Sequence, residues 1–266
     1  MTDFLVKRDD LRECRIAEST LPELEPGQAL PSAYHRYLAT GADPFYRADT
    51  EEMQMLLRPL FFTSFLIDDQ LDADGLATRG PVLISSASSK TAIAAAFLLA
   101  QREGVELVGL TSPRSSAFVE GLGVYDRTVA YDAIDSLERG PATYVDIAGD
   151  GEVRLAVHSQ YGDELVHSMA VGVTHWEGFG PGAGDLPGPT PSFFFAPDRV
   201  VKRSEDWGRA GLETRVADAW HPFCEWTGSW LETIAGNGFD AVRTAYLEVL
   251  EGRVGPKNAH VLTLAA

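Results

Sequence analysis

"VLISSASSKTAIAAAFLLAQ", Val82 to Gln101, decides the fold. "VLIS" is a short apolar run, as in a strand buried on both faces. "KTAIAAAFLLAQRE" is rich in alanine and leucine and closes at Gly104, the usual place for a helix to stop. Between them lies Ser85-Ser86-Ala87-Ser88-Ser89-Lys90-Thr91, a turn full of hydroxyls and without glycine. A buried strand feeding an apolar helix through a tight turn opens a βαβ unit.

The pattern repeats downstream. "VELVGL" is a second strand, "RSSAFVEGLG" a short helix, "DRTVAYD" a third strand and "AIDSLERG" a helical turn. "ATYVDIAG" is a fourth strand, "GEVRLAVHSQYG" a helix and "ELVHSMAVGVTH" a fifth strand. Such alternation predicts a parallel sheet covered by helices on both faces. The expected class is therefore α/β, a Rossmann-like doubly wound parallel sheet over residues 81–204. Residues 1–30 read as extended runs broken by "LPELEPGQAL", and 31–80 as a helical connecting segment in which Pro59 kinks or restarts the helix. "SFFFAPDRV" returns to a sheet. Residues 205–266 supply C-terminal helices, "TRVADAWHPFCEWTGSWLETI" and "GFDAVRTAYLEVLEG", and a closing strand, "HVLTL". The glycine- and proline-rich residues 178–192 form either a surface connection or a lid over a ligand.

The 266 residues are 45% hydrophobic, enough for a substantial core. Lys and Arg total 22 against 39 Asp and Glu, a net charge of −17. That balance argues against nucleic acid and against an anionic membrane surface as partners. Cys14 and Cys224 form no CxxC pair, and with the six histidines they show no zinc-ligand spacing, so no metal is expected. The polar start is no signal peptide, and no apolar run reaches the ~20 residues of a membrane span. The expectation is a cytoplasmic protein with reduced thiols.

In an open parallel sheet, ligands sit outside the carboxyl ends of the strands, where the strand order reverses. The first strand-to-helix turn lies there. A helix N-terminus offers unpaired N–H groups and partial positive charge, which receive phosphate. Ser85, Ser86, Ser88, Ser89 and Thr91 add hydroxyls, and Lys90 adds a cation. The plainer alternative is that the serines only cap the helix. A P-loop is a rival from another class, since Lys90-Thr91 opens a helix, but both of its glycines are missing. The second strand ends in Thr111, Ser112, Pro113 and Arg114. An arginine without the usual acid suits a 2′-phosphate, which favours NADP over NAD.

These segments resemble the medium-chain dehydrogenase/reductase superfamily, nearest its zinc-free quinone-oxidoreductase and enoyl-reductase branch. "LLRPLFFTSFLIDD" followed by "SSASSKTA" is more closely similar to a bacterial branch of it, domain of unknown function 2855. The resemblance implies a dinucleotide held by Ser86, Ala87, Ser88, Ser89 and Lys90 at the phosphate turn. It places Thr111, Ser112 and Arg114 at the ribose-phosphate corner, with Tyr131 helping to hold the 2′-phosphate. Gly149 matches the end of the fourth strand, and Gly172, Val173 and Thr174 match the end of the fifth, near the nicotinamide. The cofactor implied is NADPH. The implied activity is a zinc-independent, NADP-dependent reduction of a carbonyl or activated alkene by hydride. The alternative is an inactive nucleotide-binding or scaffold protein.

The pattern departs at Leu30. There the family continues into a β-rich, chaperonin-like substrate domain of ~100 residues, whereas here Leu30 runs into "PSAYHRYL". Residues 1–30 are therefore expected to be a remnant of that truncated second domain. Candidate proton donors are Tyr46, His175 and Lys202. Asp68 and Asp69 invite a metal or acid–base reading, although a solvated helix end is the plainer one. Trp220, Trp226 and Trp230 read as packing residues on one amphipathic helix. The resemblance also implies a homodimer formed edge to edge through "SFFFAPDRV".

Overall fold

The computed structural model describes residues 40–171 and 186–264. The N-terminal remnant expected at 1–30 and the proposed lid residues 178–185 lie outside them, as does Cys14.

A helix, α1 (Glu51–Ala73), precedes the first strand, β1 (Val82–Ile84), which leads through the serine turn into α2 (Lys90–Leu99). There follow β2 (Leu107–Thr111), α3 (Ser116–Gly121), β3 (Arg127–Ala130), β4 (Ala142–Asp146), α4 (Gly151–Tyr161), β5 (Leu165–Ala170) and β6 (Ser192–Phe193). All six strands run parallel in one sheet, in the order β3-β2-β1-β4-β5-β6. This is the doubly wound order, and it reverses between β1 and β4. Every residue of β1, β2 and β4 is buried, which is why these segments read as largely apolar runs rather than alternating ones.

One face of the sheet packs on α1, α2 and α5 (Ala196–Thr227). Phe61 lies 5.2 Å from Trp220 and 4.9 Å from Phe223, and Phe97 stacks on Trp226 at 5.1 Å. The tryptophans are thus core and near-core residues as expected, although Trp230 lies beyond the end of α5 at Thr227. α1 is continuous through Pro59 rather than restarting there. The proline removes one N–H from the ladder, and burial of Leu57, Phe61 and Phe65 on either side of it holds the helix together.

The plainer expectation for Asp68 and Asp69 needs correction, because both are buried. Asp68 takes a forked pair of bonds from Arg102, at 2.6 and 2.8 Å. Burial nevertheless pushes its carboxyl above the usual range, against the pull of Arg102. Asp69 accepts from Arg199 at 2.6 Å and Arg203 at 2.7 Å, tying α1 to the start of α5. No metal-ligand cluster occurs among the described residues. Both aspartates are helix-to-helix fasteners.

The C-terminal region also differs from the expected layout. β6 is only two residues long, and α5 begins at Ala196 and crosses position 204, with a non-helical Gly208 (φ 71, ψ 157) inside it. "LETI" opens a strand, β7 (Glu232–Asn237), rather than ending a helix. β7 pairs in parallel with β8 (Asn258–Thr263) across α6 (Gly238–Leu250), as a second, two-stranded sheet. The outer face of α6 carries exposed Phe239, Tyr246, Val249 and Leu250. No helix among the described residues is long and apolar enough to cross a membrane.

His158 of α4 is fully buried. Its Nδ1–H faces the Pro187 carbonyl at 2.8 Å, so its Nε2 accepts from the Ser168 hydroxyl at 3.0 Å. Burial holds its pKa below the ordinary 6.5. The unfolded chain therefore binds this proton more readily than the folded one. The resulting stability is complete above about pH 6.5 and is lost as pH falls through the folded value. Melting temperature is expected to drop between pH 7 and 5, and His158→Gln should flatten that drop. An unchanged slope in His158→Gln would remove the assignment.

Candidate functional site

The carboxyl ends of β1 and β4 flank the point where strand order reverses, and two turns meet there. The first is Ser85–Ser89. Ser86 has φ 53, the only positive value for a non-glycine among the described residues. Its N–H donates to the Tyr131 hydroxyl at 2.9 Å. The Ala87 N–H bonds the Leu110 carbonyl at 3.0 Å, and the Ser89 N–H bonds the Ser86 carbonyl at 2.7 Å. The Ser89 side chain caps α2 by accepting from the Ala92 N–H at 3.3 Å, so the capping alternative holds for this serine. Among the described residues, no carbonyl takes the N–H groups of Ser88, Lys90 or Thr91. These are the orphan donors of a helix start, just beyond the carboxyl end of β1.

The second turn, Ile147–Asp150, is organised by a residue that the sequence reading did not single out. Asp146, at the end of β4, has no exposed surface. Its Oδ1 accepts from the Ser85 hydroxyl and from the Gly149 N–H, each at 3.0 Å. Its Oδ2 accepts from Arg154 Nε at 2.8 Å and Nη2 at 2.7 Å. The Ser85 oxygen in turn accepts from the N–H groups of Ile147 and Ala148, each at 3.0 Å. One carboxylate thus fastens the β1 turn to the β4 turn and fixes Gly149 in its left-handed conformation (φ 64). The available signal was an acid closing the apolar run "ATYVD", with an arginine eight residues on.

Lys90, the cation expected at the phosphate, is also tied to the C-terminal unit. Its ammonium donates to the carbonyls of Pro256 at 3.0 Å and Asn258 at 2.9 Å, which docks β8 on the start of α2. Burial there lowers its pKa. Thr111 is buried at the end of β2, and the Ser112 hydroxyl faces that of Ser115 at 3.4 Å. Arg114 is exposed, with one bond from Nη2 to the Gly252 carbonyl at 3.3 Å. The loop before β8 therefore lies along the rim formed by α2 and the end of β2. Burial raises the pKa of the Tyr131 phenol, so its hydroxyl is a neutral donor and acceptor.

Among the proposed proton donors, the Tyr46 hydroxyl donates to Glu51 at 3.4 Å, and Lys202 pairs with Asp206 on the outside of α5 at 2.7 Å. His175, Gly172, Val173 and Thr174 lie outside the described residues.

Three solved structures have this architecture. YhdH of Escherichia coli K-12 with bound NADPH is 17% identical, with a TM-score of 0.54 over 80% of this chain and 64% of that one. Bacillus subtilis YhfP with NAD bound is 15% identical, with a TM-score of 0.51 over 79% of this chain and 63% of that one. The CurF ER cyclopropanase from the curacin A biosynthetic pathway is 17% identical, with a TM-score of 0.51 over 76% of this chain and 59% of that one. The chain thus spans under two thirds of the length of these proteins. At this identity the likeness establishes the fold alone. No curated protein matches the chain. The serine turn, the buried sheet and the C-terminal βα unit all fall within residues 6–255, which match the family model described as "Protein of unknown function (DUF2855)", and the chain belongs to that family.

Proposed function

We propose that the chain binds NADPH across the crevice between β1 and β4 and works as a zinc-independent reductase of a carbonyl or activated alkene. The observation that carries this reading is the serine turn. It is a left-handed turn at the topological switch point, with three N–H groups at the start of α2 that no carbonyl takes among the described residues. YhdH, of the same fold, carries NADPH.

The donor set suits a diphosphate. The N–H groups of Ser88, Lys90 and Thr91 and the hydroxyls of Ser86, Ser88 and Thr91 would bind it, with Gly149 bordering the other side. Ser112 and Arg114 would hold the 2′-phosphate, and Arg114 keeps most of its guanidinium N–H groups beyond its one carbonyl bond. When bound, the nicotinamide supplies a hydride. Gly172, Val173 and Thr174 are the residues we assign beside it, with His175 or Tyr46 as the proton donor. Ala87 contributes small bulk, and Lys90 anchors β8 over the rim. A second copy would pair at β6, the sheet edge where Phe193 and Phe195 are exposed.

A second reading, an inactive nucleotide-binding scaffold, is favoured by the engagement of Tyr46 with Glu51 and of Lys202 with Asp206. Titration with NADPH, NADH and ATP, followed by heat release, tests the binding. NADPH is expected to bind most tightly, and magnesium-dependent ATP binding in its place would sink the reading. NADPH oxidation over a panel of quinones, enones and aldehydes separates enzyme from scaffold.

A further inference from the structure

We infer that Tyr125 and Tyr131 form a positioning clamp, which holds the Ser85–Ser89 turn in the left-handed form that glycine adopts freely in other phosphate turns. The role assigned to the turn rests on the diphosphate reading above, while the clamp itself rests on geometry. A serine at φ 53 is sterically disfavoured, because its Cβ crowds the backbone. Such a conformation persists only where the surroundings impose it. Here two phenols do so, one at the N–H of Ser86 and one at the carbonyl of Ala87. The Tyr131 hydroxyl accepts the Ser86 N–H at 2.9 Å, and the Tyr125 hydroxyl donates to the carbonyl of the next residue, Ala87, at 3.1 Å. The two tyrosines flank β3: Tyr131 follows it and reaches the turn at the carboxyl end of the sheet, whereas Tyr125 precedes it and crosses β2 at Gly109.

The grip requires Gly109. A Cβ at that position of β2 would lie 3.0 Å from Ala87 Cβ and 3.0 Å from the Tyr125 ring. A glycine inside a fully buried strand marks such a close approach. Tyr131 is therefore assigned to the diphosphate turn. Its hydroxyl hydrogen, not needed for the bond from Ser86, can point into the crevice. This differs from a contact with the 2′-phosphate, and the two make opposite predictions for NADH.

The experiment uses full-length protein in four forms: wild type, Tyr131→Phe, Ser86→Gly, and the double variant. Amide exchange at Ala87 and Ser89 is measured without nucleotide, and affinity is measured for NADPH and NADH. Tyr131→Phe should speed exchange at Ser89, whose N–H depends on the Ser86 carbonyl. It should weaken both nucleotides alike, by about five- to tenfold. Adding Ser86→Gly should restore slow exchange at Ser89, since glycine holds φ > 0 unaided. Unchanged exchange in Tyr131→Phe, loss of NADPH alone, or failure of Ser86→Gly to rescue would overturn the clamp. If exchange responds and is rescued but neither dinucleotide binds the wild type, the clamp stands and the nucleotide reading falls.

Discussion

Arg114→Ala is expected to weaken NADPH by about 10- to 100-fold while leaving NADH within about twofold. The size follows from the chemistry, since hydrogen bonds between charged partners contribute roughly 1.5–3 kcal/mol, and about 1.4 kcal/mol is a factor of ten. Arg114 stands just beyond the end of β2, where a nucleotide's adenosine ribose lies in this fold. Thr111, Ser112, Pro113, Ser115 and Ser116 surround it in sequence, with no acid among them to bind a ribose diol. Its guanidinium is exposed and makes one long bond to the Gly252 carbonyl, so alanine there removes little from the folded state. Melting temperature is the control and should stay put. Arg114→Lys keeps the charge but loses the planar fork, so its loss should be intermediate. The NADPH preference should also shrink with added salt, because an exposed charge is screened. Equal losses for NADPH and NADH would show that Arg114 does not read the 2′-phosphate.

The sheet was legible because its signal is local and repeated. Val82–Ile84, Leu107–Leu110 and, apart from Thr143, Ala142–Val145 are apolar, as strands buried on two faces largely are. Glycine stops and short connections then left few topologies open. Legibility failed where a residue's partner is distant in sequence. Asp68 and Asp69 look like a solvated helix end until Arg102, just beyond α2, and Arg199 and Arg203 of α5 arrive. The carbonyls of Pro256 and Asn258, 166 and 168 residues away, take two of the Lys90 ammonium's donors, which no local pattern announces. The boundaries of α5 and β7 were missed for another reason. "SFFFAPDRV" has strand-like composition, but Pro197 sits at a helix start, where proline is favoured. At the site itself, the hydroxyl turn was legible. The phenols that shape it were not, since nothing in "VYDRTVAY" says that both hydroxyls reach back to Ser86 and Ala87.

Asp146→Ala is expected to cost about 3–5 kcal/mol, because it strips the partner from a nearly buried guanidinium, the Gly149 N–H and the Ser85 hydroxyl at once. For a chain of this size that is a fall in melting temperature of about 10 °C. The carboxylate is wholly buried and the Arg154 side chain only 11% exposed, so solvent replaces little of what is lost. Asp146→Asn should fall between, since the amide oxygen still accepts from Ser85 or Gly149 but no longer offsets the arginine charge. The double change Asp146→Ala with Arg154→Met should recover part of the loss, because replacing both members of a buried pair by apolar groups removes the stranded charge. Nucleotide binding separates this role from mere bulk stability. Asp146 joins the turn after β1 to the turn after β4, so loosening it widens the crevice on both sides. At a temperature where the Asn variant remains folded, NADPH and NADH should weaken together, unlike the selective loss expected from Arg114→Ala. A melting temperature within about 2 °C of wild type for Asp146→Ala would mean that the Ser85–Asp146–Arg154 link does not hold the two turns together.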